Sequence, residues 1–156
     1  MRKREGNMKH EFQEKFTPEA LHALAFAEEE ADHNHKTLGD EHILMGLMRA
    51  RDGAAGKLLY RLGLEVEPTR AMIARLTAHK SQETEAPVAL SNSARLILEN
   101  ALKEAELAEQ DQVGTGLLLL ALTQAEQGPA LSALEHFGVT SRRLQSYKGE
   151  LLHHRS

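Results

Sequence analysis

The chain has 156 residues, a net charge of −4, 41% apolar and 27% charged residues, which suits one hydrophobic core, or two half-size ones, under a polar surface. So mild a negative charge argues against a nucleic-acid footprint, and the lack of cysteine excludes disulfides and thiol chemistry while fitting a reducing, cytoplasmic setting. Aromatics amount to 4%, Trp is absent, and Ala and Leu dominate the apolar set, a balance that favours helix over strand.

In chain order, "MRKREGNMKHEF" is basic, but no apolar stretch of a secretory signal follows it. Residues 1–15 read as a tail in which Met8 is an alternative initiator. Thr17 is a good N-cap with Pro18 at the first helical position, and Leu21, Leu24, Ala27 and Ala31 then recur at helical spacing. On the same helix Glu28, Glu29 and Glu30 read as a solvated face. A second helix is expected around Asp40, carrying Ile43, Leu44, Leu47 and Met48. A third runs from about Ala54 to Leu62, with Leu58, Leu59 and Leu62 inward and Gly63 as its C-cap. A fourth starts near Glu67 and Pro68, with Met72, Ile73 and Leu76 on one face. The polar stretch 79–89, which contains Pro87, reads as a linker.

The plan then repeats. Laid over residues 90–151, residues 16–76 put Gly39 on Gly114, Leu44 on Leu119, Leu47 on Leu122, Gly53 on Gly128, Leu59 on Leu134 and Gly63 on Gly138. The offset is 75 residues here and 74 at the repeat starts. Ser91 is the first cap of the second copy and Thr115 the second; Pro129 opens its third helix, Gly138 closes it, and Thr140 or Ser141 opens the fourth. Two copies are too few for an open solenoid. The expected architecture is all-α: repeats over 16–78 and 90–152, four helices each, related by a pseudo-two-fold axis. No segment alternates with period two long enough to make a strand. The longest apolar run, "GLLLLAL" at 116–122, is far short of the roughly 18 residues that span a membrane.

Chemistry is suggested mainly by "LGDEHILMGL" at 38–47, where Asp40, Glu41 and His42 stand side by side. With Asp32, His33 and His35 nearby, a metal site comes to mind, yet His33 and His35 do not share a helical face and no His-Glu-x-x-His occurs; "HEFQE" at 10–14 lacks the second His. No Gly-x-Ser-x-Gly, Ser-x-x-Lys or phosphate-binding glycine loop is present. The simpler reading is a helix start: Gly39 ends a turn, Asp40 caps, and Glu41 favours the positive helix end. In the second copy Thr115 keeps the cap while Gly116 replaces the Glu. The cap accounts for Asp40 and leaves Glu41 available to a partner.

"FTPEA", "LGDEHILMGL" and "GAAGKLLYRLG", in order, at their spacing and echoed in the second copy, carry a resemblance to the Clp N-terminal repeat domain. That is the amino-terminal domain of the ClpA, ClpB and ClpC unfoldase ATPases. The resemblance covers residues 16–152 and looks closest to the ClpC type. It implies an eight-helix pseudo-two-fold fold and a binding role: in the large ATPases this domain receives adaptors and substrate segments. In ClpC-type domains the Glu of a Gly-Thr-Glu-His motif is associated with recognising phosphorylated arginine, and that position is Glu41 here. Asp40 replaces the usual small hydroxyl residue and would repel a phosphate while tolerating a plain arginine. Gly116 removes the second carboxylate. The expectation is at most one weakened or altered peptide site, built from Asp40 and Glu41, with Thr115 still offering a hydroxyl.

Ending at "LLHHRS" with no phosphate loop, the chain reads as a stand-alone, non-catalytic N-domain without the ATPase modules. It would need no cofactor and no metal. Its expected partners are protein or peptide substrates and adaptors of a Clp ATPase, or the ATPase itself, with neither nucleic acid nor membrane. The alternatives are a small metal-dependent enzyme using Asp40, Glu41 and His42, and a self-association protein with "GLLLLAL" as interface; a wholly apolar helix is, however, usually a central core helix.

Overall fold

The computed structural model describes residues 13–33, 37–78, 90–125 and 127–153. Most of the expected tail, with Met8 and His10, lies outside the described residues, as do His35, the linker 79–89 and the side chain of His33. Repeat one contains α1 (Pro18–His33), α2 (Asp40–Arg49), α3 (Ala54–Arg61) and α4 (Val66–Leu76). Repeat two contains α5 (Asn92–Leu107), α6 (Thr115–Thr123), α7 (Pro129–His136), α8 (Ser141–Gln145) and α9 (Lys148–His153). The all-α expectation holds. The expected count of eight does not, because the fourth helix of repeat two is two short helices among the described residues. Ser146 sits at the break and its hydroxyl donates back to the carbonyl of Arg143 at 2.5 Å, the kind of local bond that competes with a continuing helix.

The core is built around α2 and α6. Every residue of α6 is buried, Leu117 to Leu122 at no more than 3% exposure. "GLLLLAL" is therefore the central core helix, and it has no face left to serve as a self-association interface. Each such leucine contributes about 1.5–3 kcal/mol of apolar burial. The first helices lie outside this pair. Ala20, Ala23, Ala27 and Ala31 of α1 are at most 1% exposed, and a Cβ on Gly46 would collide with the carbonyl oxygen of Ala23. The alanine row and Gly46 let the two backbones meet.

The helix ends follow local chemistry. Thr17 Oγ1 accepts from Ala20 N and Ser91 Oγ from Ala94 N, both at 3.1 Å, and Thr140 Oγ1 caps α8 by accepting from Arg143 N. Gly63 (φ +96°) and Gly138 (φ +82°) turn the chain after α3 and α7. There Leu64 N donates to Leu59 O at 3.0 Å and Val139 N to Leu134 O at 2.9 Å, the left-handed C-cap that glycine makes cheaply.

Two short parallel bridges tie the repeats together, Phe16 with Val113 and Leu38 with Leu90. Thr17 N donates to Val113 O and Ser91 N to Leu38 O, each at 2.9 Å. The entry to each repeat is thus pinned to the strand-like residue before the second helix of the other.

The reading of Glu28, Glu29 and Glu30 as one solvated face fails at Glu30, which is 7% exposed. It lies between two arginines, with Oε2 at 3.0 Å from Arg49 Nη1 and 2.6 Å from Arg70 Nη2. Burial favours its neutral form, but the hydrogen bond and charge of Arg70, with those of Arg49, outweigh it and hold its carboxyl below the usual range.

Candidate functional site

The start of α2 is built differently from the sequence expectation. Its N-cap is Gly39, in extended conformation at φ −112°, ψ −176°. His42 Nδ1 accepts from Gly39 N at 2.9 Å, and Gly39 O accepts from His42 N at 3.1 Å. Asp40 is therefore not the cap of its own helix. Its carboxylate reaches across the molecule: Oδ2 accepts from Ala130 N at 2.9 Å and Oδ1 from Ser93 Oγ at 3.1 Å. Asp40 satisfies a free amide at the start of α7 and fixes the start of α5, both in repeat two.

Thr115 does the reverse. The N-cap of α6 is Gly114, not Thr115, and Thr115 Oγ1 accepts from Ala55 N, in the first turn of α3, at 3.0 Å. Asp40 and Thr115 are separated by the repeat offset of 75, as are Ala55 and Ala130. The two caps are one reciprocal device, each repeat closing the third helix of the other. Both need a glycine opposite. A Cβ on Gly53 would lie 2.5 Å from Thr115 Oγ1, and one on Gly128 would lie 2.7 Å from Asp40 Oδ2. The paired glycines were visible in the repeat; that they make room for a cap from the other repeat was not.

Glu41 is 4% exposed. Its carboxylate folds back over the N-cap, so that a Cβ on Gly39 would lie 2.5 Å from Glu41 Oε1. A carboxylate in the first turn is stabilised by the helix dipole. At the matching position of repeat two, Gly116 is covered by the backbone of α9. A Cβ there would collide with the carbonyl oxygen of Leu151 and lie 2.9 Å from its carbon. Two further contacts hold α9 down: Gln110 Nε2 donates to Leu152 O at 2.7 Å, and Arg61 Nη2 pairs with Glu150 at 2.9 Å.

The structure puts Asp40 and Thr115 at the seam between the repeats, each bonded to a helix of the other, and folds Glu41 over its own helix start; the three are 6%, 0% and 4% exposed. It does not bring Asp40 and His42 to one point, since Asp40 bonds toward α5 and α7 while His42 Nδ1 turns onto Gly39. Among the described residues no group of three or more His, Cys, Asp or Glu is arranged to hold a metal ion, and no helix is long and apolar enough to cross a membrane.

A doubled, interlocked four-helix unit of this kind defines a class that comparison with known proteins makes specific. The family model of the Clp repeat (R) N-terminal domain matches residues 15–137 and 89–154. The chain is 34% identical over 134 residues, 85% of its length and 16% of the relative's, to a probable ATP-dependent Clp protease ATP-binding subunit of Chlamydia pneumoniae. It is 33% identical over 139 residues, 88% of its length and 17% of the relative's, to the negative regulator of genetic competence ClpC/MecB of Bacillus subtilis (strain 168). Among solved structures it resembles the N-terminal domain of the chaperone ClpD from Arabidopsis thaliana, with a TM-score of 0.75 at 18% identity, covering 90% of this chain and 96% of that one. It also resembles the Hsp104 N-terminal domain from Candida albicans, with a TM-score of 0.69 at 21% identity, covering 89% and 92%. The chain belongs to the Clp N-terminal repeat domain family. It spans only 16–17% of the length of these curated relatives.

Proposed function

We propose that the chain is a non-catalytic module of a Clp chaperone–protease system that binds protein or peptide segments, capturing substrates or adaptors or competing for them with a ClpC-type N-domain. The observation that carries this reading is that the family model matches residues 15–137 and 89–154, which together cover nearly the whole chain. A cytoplasmic location, and association with a Clp ATPase, go with the same proposal.

The ligand group proposed is arginine, met by Glu41. A carboxylate grips a guanidinium through two parallel hydrogen bonds, and Glu41 stands in the first turn of α2. Asp40 and Thr115 are positioning residues in this account: by accepting from Ala130 N and Ala55 N they tie the first residues of α2 and α6 to the third helix of the other repeat, and so hold the helix that carries Glu41. Asp40, the preceding residue, puts a second acidic side chain in the same first helical turn as Glu41. Two negative charges there would repel a phosphate, so plain arginine should bind better than phosphorylated arginine.

Fluorescence anisotropy with peptides carrying phospho-arginine, peptides carrying plain arginine, and purified Clp adaptors tests the reading. Saturable binding of the plain-arginine peptide, stronger than its phosphorylated counterpart, is expected. Failure of all three to bind would refute it.

A further inference from the structure

We propose that the outward face of α5 pairs two copies of the chain, antiparallel, in a weak homodimer. The described residues leave three large apolar side chains exposed: Tyr60 at 60%, Leu96 at 56% and Leu107 at 73%. Tyr60 is partly covered, since the Arg51 guanidinium stacks over its ring at 4.6 Å. Leu96 and Leu107 share one helix. At 3.6 residues per turn they and Lys103 fall within about 40° of arc, opposite Ala94, Ala101 and Ala105, which are buried. The two leucines therefore mark the ends of a stripe about 16 Å long on the side of α5 that faces away from the core. The repeat framework does not require them: at the offset of 74, repeat one has His22 and His33 in their places.

The charges around the stripe select a second copy as the occupant. Glu99 flanks it, and Arg95 and Glu106 lie further round on the same side. All three are exposed, as is Lys103, and among the described residues none of the four is in an ion pair. Lay a second α5 antiparallel across the first, with the two-fold axis between residues 101 and 102. Leu96 then meets Leu107 of the second copy, and Leu107 meets its Leu96. Lys103 comes level with Glu99 of the second copy and Arg95 with its Glu106, and symmetry repeats both pairs. Each acid of one copy has a base of the other beside it. Parallel pairing would instead set Lys103 on Lys103 and Glu99 on Glu99, which like charges oppose. A partner carrying charge of one sign would be repelled by half of the face. Two leucines per copy make a small apolar centre, so the contact belongs to the weak, transient class, and its charged rim fixes register more than it adds affinity. The pairing does not involve Glu41. On the binding reading above it would link two capture modules and raise the avidity for a client with two recognised segments.

Sedimentation velocity of the whole chain from about 10 μM to about 1 mM, the range in which so small a contact associates, tests the pairing without any ligand. The wild type should pass reversibly from monomer to dimer across that range. Leu96→Gln and Leu107→Gln should each stay monomeric yet melt with the wild type, because both side chains are exposed. Glu99→Lys and Lys103→Glu should each stay monomeric alone and dimerise when mixed one to one, since only the mixture sets Lys against Glu at both central pairs. If these charges served only their own helix, as i, i+4 partners, mixing would change nothing. A wild type that is monomeric at the highest concentration, a dimer that survives either leucine change, or a mixture that stays monomeric would each overturn the pairing.

Discussion

Replacing Asp40 by Ala strips the start of α7 of the acceptor for Ala130 N and leaves the Ser93 hydroxyl without that carboxylate. Loss of a helix cap costs about 0.5–2 kcal/mol, and the buried position puts Asp40→Ala toward the upper end, since the freed amide is not easily reached by water. Thr115→Ala should cost about 1 kcal/mol for the same reason at Ala55. Urea unfolding measures both, and amide exchange locates them: Asp40→Ala should speed exchange at Ala130, and Thr115→Ala at Ala55. Loss of protection at the variant's own helix start alone would mean that the caps do not cross the seam. The caps made by Thr17 and Ser91 were legible in the sequence because their partners lie three residues on. Those made by Asp40 and Thr115 were not, because the amides they satisfy are 90 and 60 residues away. A polar residue beside a helix-opening glycine looks like the cap of its own helix until the fold shows which free amide it faces.

At the scale of the element, α4 shows how a helix with a thin apolar stripe is held. Only Thr69 and Ile73 within it are buried. Its Arg70 pairs with Glu30 of α1 at 2.6 Å and with Glu67 of its own first turn at 2.7 Å, and Glu30 also pairs with Arg49 of α2. Arg49 in turn stacks over Phe26 at 4.3 Å, so one carboxylate joins three helices. Breaking a buried ion pair by removing one partner costs several kcal/mol, but Arg70 is still 37% exposed; Glu30→Gln should therefore destabilise by about 1–2 kcal/mol at neutral pH. The carboxyl of Glu30 lies below its ordinary 4.5 in the folded chain. Its stabilising contribution is therefore complete above that value and is lost as pH falls through the lower, folded one. The stability gap between wild type and Glu30→Gln should stay constant near neutrality and narrow only below pH 4.5. A gap that narrowed above that pH, or none at neutrality, would contradict the clasp. Sequence reasoning placed α4 from Met72, Ile73 and Leu76 but took the glutamate run as solvent-facing, because a charged triplet on a helix does not reveal that arginines from two other helices converge on its last member. The break between α8 and α9 was missed for a related reason: the apolar spacing of Leu144 and Leu151 reads through Ser146 as though the helix continued.

For the whole molecule, the repeat was the most legible feature, since glycines and leucines at a constant offset report on backbone geometry and core position in both copies. The symmetry extends to the bridges at Phe16–Val113 and Leu38–Leu90 and to the reciprocal caps. The candidate site was half legible. Its position at the second-helix start follows from the motif, whereas the burial of Glu41 and the covering of Gly116 by α9 depend on packing between distant segments. The function proposed for the molecule comes down to whether that buried carboxylate reads arginine. Titration of an arginine peptide into the wild-type chain and into Glu41→Gln, which removes the charge but keeps the shape, tests this most directly when melting temperatures are recorded on the same samples. The account predicts at least tenfold weaker binding, about 1.4 kcal/mol, by Glu41→Gln, with a melting temperature within about 2 °C of the wild type. Equal affinity of the two chains for the peptide would contradict it.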